Sequence, residues 1–141
     1  MSVLYIFAMF CVGFLEEIIF RGFLLLAMYK ENPRAAVIVS SITFGIGHII
    51  NLVNGSGAEL VPNLLQVIYA TAAGFMFVML FLRSGSLLVC ILTHGIFNAL
   101  SAFSADATAL PMQILSCVLL TLISAGYALW LAFLTKTPDR E

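Results

Sequence analysis

Apolar stretches of about 20 residues, the length needed to cross the hydrocarbon of a bilayer, recur along this chain of 141 residues. Nothing in hydrocarbon satisfies a bare peptide group, so such stretches fold as helices. They predict helices over 3–29, 34–51, 61–82, 86–103 and 111–135. Pro33, Pro62 and Pro111 sit at or beside the predicted starts, where a missing N–H costs nothing. Between the second and third stretches, Asn51 to Glu59 carries Asn-Gly and Ser-Gly and reads as a turn-rich loop. The expected fold is therefore all-α, a polytopic transmembrane helical bundle of about five spans, with residues 1–141 forming a single domain. No internal repeat is visible.

Composition excludes other classes. The chain is 62% hydrophobic and only 9% charged, against about 25% charged in a soluble domain. A net charge of −1 offers no basic surface for nucleic acid. Cys11, Cys90 and Cys117 lie within apolar spans without CxxC spacing and read as packing residues. The N-terminus has neither a positive leader nor a small-residue cleavage site, so it is not read as a cleavable signal peptide. Lys30 and Arg34, Arg83, and Lys136 and Arg140 all alternate onto one side of the bundle. By the positive-inside rule this predicts an N-terminus outside and a cytoplasmic C-terminus.

Against that background a few polar groups stand out. Glu16, Glu17 and Arg21 lie in the first stretch, His48 in the second, and His94 and Asn98 in the fourth. Ionisable groups inside a membrane face the bundle interior and mark functional sites. Helical rise places Glu16 roughly 21 Å from Lys30, His48 roughly 21 Å from Arg34, and His94 and Asn98 roughly 16 and 22 Å from Arg83. Three helices of alternating direction thus bring their polar groups to one depth, which predicts a single convergent site.

The chemistry follows from residue type. Glu17 and Arg21 are four apart and read as a structural ion pair. Glu16 is turned about 100° from Glu17, so one arginine cannot serve both carboxylates well; Glu16 is the candidate general base or acid. Phe44 and His48 share a helix face, and Gly45 and Gly47 beside them allow close approach of a backbone or a substrate. His94 and Asn98 share another face, suited to donating hydrogen bonds to a developing oxyanion. Taken singly, each group has a bland reading: a core histidine, or interhelical hydrogen bonding. Their common depth favours a site. There is no HExxH, and Asp106 and Asp139, the only aspartates, lie outside the spans. Ser40, Ser41, Ser84, Ser86, Ser101 and Ser104 lie off the depth of the histidines, which disfavours a serine nucleophile. What remains is water activated by glutamate and histidine, with or without a metal: Glu16, His48 and His94 would also suit a divalent ion such as zinc.

Glu16-Glu17-Ile-Ile-Phe-Arg21, Phe44-Gly-Ile-Gly-His48 and His94-Gly-Ile-Phe-Asn98 resemble the EExxxR, FxxxH and HxxxN motifs of the CPBP or Abi family. That family comprises CAAX prenyl endoproteases of the Ras-converting type and bacteriocin-processing or self-immunity proteins. The resemblance runs from about Gly13 to Leu100. It implies an intramembrane endopeptidase, often termed a metalloprotease, in a bacterial cell membrane, with a lipidated or hydrophobic peptide or protein as substrate. It also implies that Glu16 and His48 activate water, that His94 and Asn98 stabilise the oxyanion, and that Glu17 and Arg21 shape the site. A metal-free mechanism is preferred, because Asn98 is a poor zinc ligand and a good oxyanion donor. Family members carry further helices before the EExxxR helix; a short member and one lacking the upstream helices are both compatible, and the uncharged start favours the latter. The competing reading is a non-catalytic binding or immunity protein for a bacteriocin-like peptide. A Glu–His proton-relay transporter is disfavoured by the lack of a repeat.

Overall fold

The computed structural model describes residues 3–55, 57–100 and 109–134. Among them there is no strand. Helix α1 runs Val3–Tyr29 and α2 Pro33–Leu52; α3 runs Leu60–Ser84, α4 Leu87–Leu100 and α5 Leu110–Leu134. These match the five predicted stretches. Four of them, all but α4, are long and apolar enough to cross a membrane. The outer parts of the predicted fourth and fifth helices, residues 101–103 and 135, lie outside the described residues. So do Ser104, Asp106, Lys136, Asp139 and Arg140.

Local chemistry sets the helix ends. The Asn32 side chain caps α2 by accepting from the Ala35 N–H at 3.0 Å, with Pro33 in the first turn. Gly85 ends α3 in the left-handed conformation, φ 68°, which a glycine adopts without steric cost. Helix α1 departs from the prediction in one respect. From Ile18 to Leu25 it widens into a π-helix, a feature that tends to occur at functional sites. Ser40 of α2 donates its hydroxyl to the Phe20 carbonyl inside this segment, at 3.0 Å. At the other end of α2, His48–Leu52 tightens into a 3-10 turn.

Helix α3 is the hub, packing against α2, α4 and α5, while α1 pairs chiefly with α4. Two of these crossings are backbone contacts. A Cβ on Gly13 of α1 would stand 3.1 Å from the amide nitrogen of Gly95 on α4, and one on Gly95 would enter the Phe10 ring. A Cβ on Gly45 would lie 2.7 Å from the Thr71 nitrogen, and one on Gly74 2.7 Å from the Ser41 carbonyl. The α2–α3 crossing is thus closed from both sides, as small residues at membrane interfaces permit. Gly47, also expected to allow close approach, has only Phe20 at 4.0 Å.

The radial pattern is that of a protein dissolved in lipid. Glu17, Arg21, Ser40, Ser41, Asn63, His94 and Ser124 are buried, while Phe7, Phe14, Phe23 and Phe133 are exposed. In water such an exterior would be an aggregating surface; in hydrocarbon it is solvated.

Candidate active site

The widened turn of α1 carries two adjacent carboxylates into different surroundings. Glu17 is fully buried. Its Oε1 accepts from Arg21 Nη1 at 2.8 Å and from His94 Nδ1 at 2.8 Å. The other arm of the guanidinium donates from Nη2 to the Gly74 carbonyl at 3.0 Å. Aromatic faces complete its enclosure, with the Phe44 centroid at 4.6 Å and that of Phe77 at 5.2 Å. A guanidinium so desolvated requires both its carboxylate and its π partners. Four helices therefore converge on one charge cluster: α1 through Glu17 and Arg21, α2 through Phe44, α3 through Gly74 and Phe77, and α4 through His94.

Glu16 lies on the other side of the turn. Its side chain is 28% exposed, and Oε2 stands 3.5 Å from His94 Nε2. It faces a cavity of about 1020 Å³ bounded by residues from all five helices, including Glu16, Phe44, His48, His94 and Asn98. The His94 ring is held flat against Phe77, 4.6 Å between centroids at 24°. Phe44 meets both imidazoles edge to face, 5.4 Å from His48 and 5.4 Å from His94. With its Nδ1–H committed to Glu17, His94 turns Nε2 toward Glu16.

His48 reaches the cavity by a different route. Its Nδ1 is 3.0 Å from the Phe44 carbonyl; a carbonyl only accepts, so Nδ1 donates and Nε2 is the nitrogen available for a proton. No hydrogen bond within the described residues joins His48 to Glu16 or His94, and the shared Phe44 ring is what links them.

All seven residues singled out by sequence therefore gather in one region: Glu16, His48, His94, Asn98 and Phe44 on the cavity, Glu17 and Arg21 directly behind it. Two features were not foreseen. One is the Glu17–His94 hydrogen bond, which makes Glu17 the orienter of an imidazole as well as the partner of Arg21. The other is Asn63, buried at the start of α3, which donates from Nδ2 to the His48 carbonyl at 2.8 Å and so holds the tightened turn bearing that histidine. A carboxamide in an apolar span was the one signal for it in the sequence.

The fit to a metal can be tested on the donor set. Among the described residues no three His, Cys, Asp or Glu side chains are grouped to hold an ion, and Glu17 and His94 Nδ1 are spent on each other.

A family model, the type II CAAX prenyl endopeptidase Rce1-like family, matches residues 1–100. The chain belongs to this family. The matched segment covers α1 to α4 and all seven residues above. No curated protein and no solved structure matches the chain. The protein is thus a multi-pass membrane member of a protease family, and α5 lies beyond the matched segment.

Proposed function

We propose that this Rce1-like protein is an intramembrane endopeptidase, hydrolysing a peptide bond of a lipidated or otherwise hydrophobic membrane-associated peptide. The observation that carries the reading is the contrast between two neighbouring carboxylates. Glu17 is spent on Arg21 and His94, while Glu16 is left facing the cavity beside an imidazole.

In this mechanism Glu16 takes a proton from water as the water oxygen bonds to the scissile carbonyl carbon. His48, with Nδ1 anchored on the Phe44 carbonyl, orients that water through Nε2. The tetrahedral oxyanion accepts hydrogen bonds from the Asn98 amide and from His94 when Nε2 carries a proton. Glu16 then returns its proton to the departing nitrogen as the C–N bond breaks, leaving a new carboxyl and a new amine terminus. Glu17 and Arg21 hold the His94 ring in place, and Phe44 spaces the two imidazoles. In this mechanism no step is routed through a metal. On the same reading the basic end of the bundle, with Lys30, Arg34 and Arg83, faces the cytoplasm of a bacterial cell.

The test is cleavage in proteoliposomes. Wild-type and Glu16→Gln proteins meet a library of prenylated and unmodified hydrophobic peptides, and new termini are read by mass spectrometry, with and without chelator. Cuts made by wild type alone, unchanged by chelator, are expected. Cuts that persist in Glu16→Gln would remove Glu16 from the chemistry. A folded wild type that cuts nothing would leave a binding or immunity role.

A further inference from the structure

The 3-10 turn His48–Leu52 ends α2, and none of its residues is fully buried, so packing alone does not fix it. Residues 53–55 and 57–60, which lead on to α3, are nearly all exposed, and the chain beyond the turn does not pin it either. What holds it is a chain of three carboxamides. Asn51, near the far end of the turn, donates from Nδ2 to Gln66 Oε1 of α3 at 3.2 Å. Asn63, three residues before Gln66 and on the same face of α3, donates to that oxygen at 3.5 Å. The Asn63 amide also donates to the His48 carbonyl at 2.8 Å. Both N–H bonds of Asn63 Nδ2 and both lone pairs of Gln66 Oε1 are thereby used. Gln66 itself lines the large cavity together with His48 and Asn51.

Gln66 is the member common to both anchors of the turn. The amide torsion of an asparagine is soft, so an Asn63 held only at the His48 carbonyl could swing; its second bond, to Gln66, fixes its plane. The same oxygen fastens Asn51 directly. We propose that Gln66 is a positioning residue for His48. Its one side-chain carbonyl clamps the turn at both ends, and so keeps the imidazole with Nδ1 on the Phe44 carbonyl and Nε2 available. The part this plays in hydrolysis rests on the reading of His48 as the group that orients water; the positioning of the ring does not.

The chain has two histidines, which makes nitrogen NMR of the full chain a direct test. Protein labelled with nitrogen-15 in histidine and held in detergent micelles shows two imidazole rings, and His48→Gln assigns them by removing one. In wild type the His48 ring should show a single tautomer with its proton on Nδ1. Gln66→Met, similar in length but lacking the acceptor, should move the His48 signals toward a mixture of tautomers and leave those of His94 in place. Gln66→Glu keeps the acceptor and should restore the wild-type His48 pattern. Asn51→Ala, in a partly exposed turn, removes one of the two bonds and should give a smaller shift in the same direction; it carries the test if Gln66→Met does not fold. In the cleavage assay Gln66→Met should lower kcat by up to about 10²-fold, the cost of misplacing a reacting group by an ångström, with KM little changed. Unmoved His48 signals in the folded variant, or His48 and His94 signals displaced together, would overturn the assignment. Shifted His48 signals in a protein whose wild type cuts nothing would uphold the positioning and sink only the endopeptidase reading.

Discussion

The two walls of the large cavity are held by different forces. On one side α1 and α4 meet backbone to backbone at Gly13 and Gly95, and Glu17, Arg21 and His94 are bonded to one another out of reach of solvent. On the other side α5 rests chiefly on α3. It makes that contact with the small residues Ser124 and Ala128 and with Leu131 and Cys117, the last donating its thiol to the Leu65 carbonyl at 3.4 Å. The first wall lies in the family-matched segment and carries the candidate chemistry; the second lies beyond it. In lipid, apolar side chains gain nothing by leaving one another for the bilayer or the reverse. Rigidity therefore concentrates where buried polar groups have no other partner.

Four substitutions would break or sharpen that contrast. The largest expected effect is on activity. Glu16→Gln should slow hydrolysis by about 10²–10⁴-fold, the usual loss of a general base, with an unchanged unfolding midpoint in mild detergent. A matching loss of stability would mean that Glu16 belongs to the structural cluster. Next comes Glu17→Gln, which strands the Arg21 guanidinium in the interior and should cost about 3–5 kcal/mol, as breaking a buried ion pair does. Its signature is a fall in the denaturant midpoint, whatever happens to activity. If Glu17→Gln is instead silent in stability and lethal in activity, the roles of the two carboxylates are reversed. Gly45→Ala should follow at about 1–3 kcal/mol, because the added methyl meets Thr71 backbone that cannot yield. Gly126→Ala in α5 has nothing within 4 Å of the new Cβ and should change stability by no more than about 0.5 kcal/mol. Equal effects from the two glycine variants would show that α5 is packed as tightly as the α2–α3 crossing.

Much of this was legible in the linear chain because lipid makes the rules strict. Length and apolarity are enough to locate a spanning helix, so the five helices were read within a few residues of their observed bounds. A polar group inside such a helix must turn inward, so Glu16, Glu17, Arg21, His48, His94 and Asn98 announced themselves. Their alignment in depth followed from helical rise alone. Harder to read was Asn63, whose partner is a main-chain carbonyl 15 residues earlier, with no periodicity to betray it. The π-segment was also hidden, since Ile18–Leu25 reads as ordinary apolar helix.

By itself, then, the sequence determined the helical class, the number of elements and the set of polar residues that had to converge, because hydrocarbon leaves neither the backbone nor a charged side chain another choice. Only the tertiary structure decided that Glu17, already expected to pair with Arg21, also holds the His94 imidazole. Whether that bond can form depends on how close α1 comes to α4, and that distance is set by glycines meeting across a helix crossing. Contact between helix faces is a property of pairs of segments far apart in the chain, and no single stretch of sequence records it.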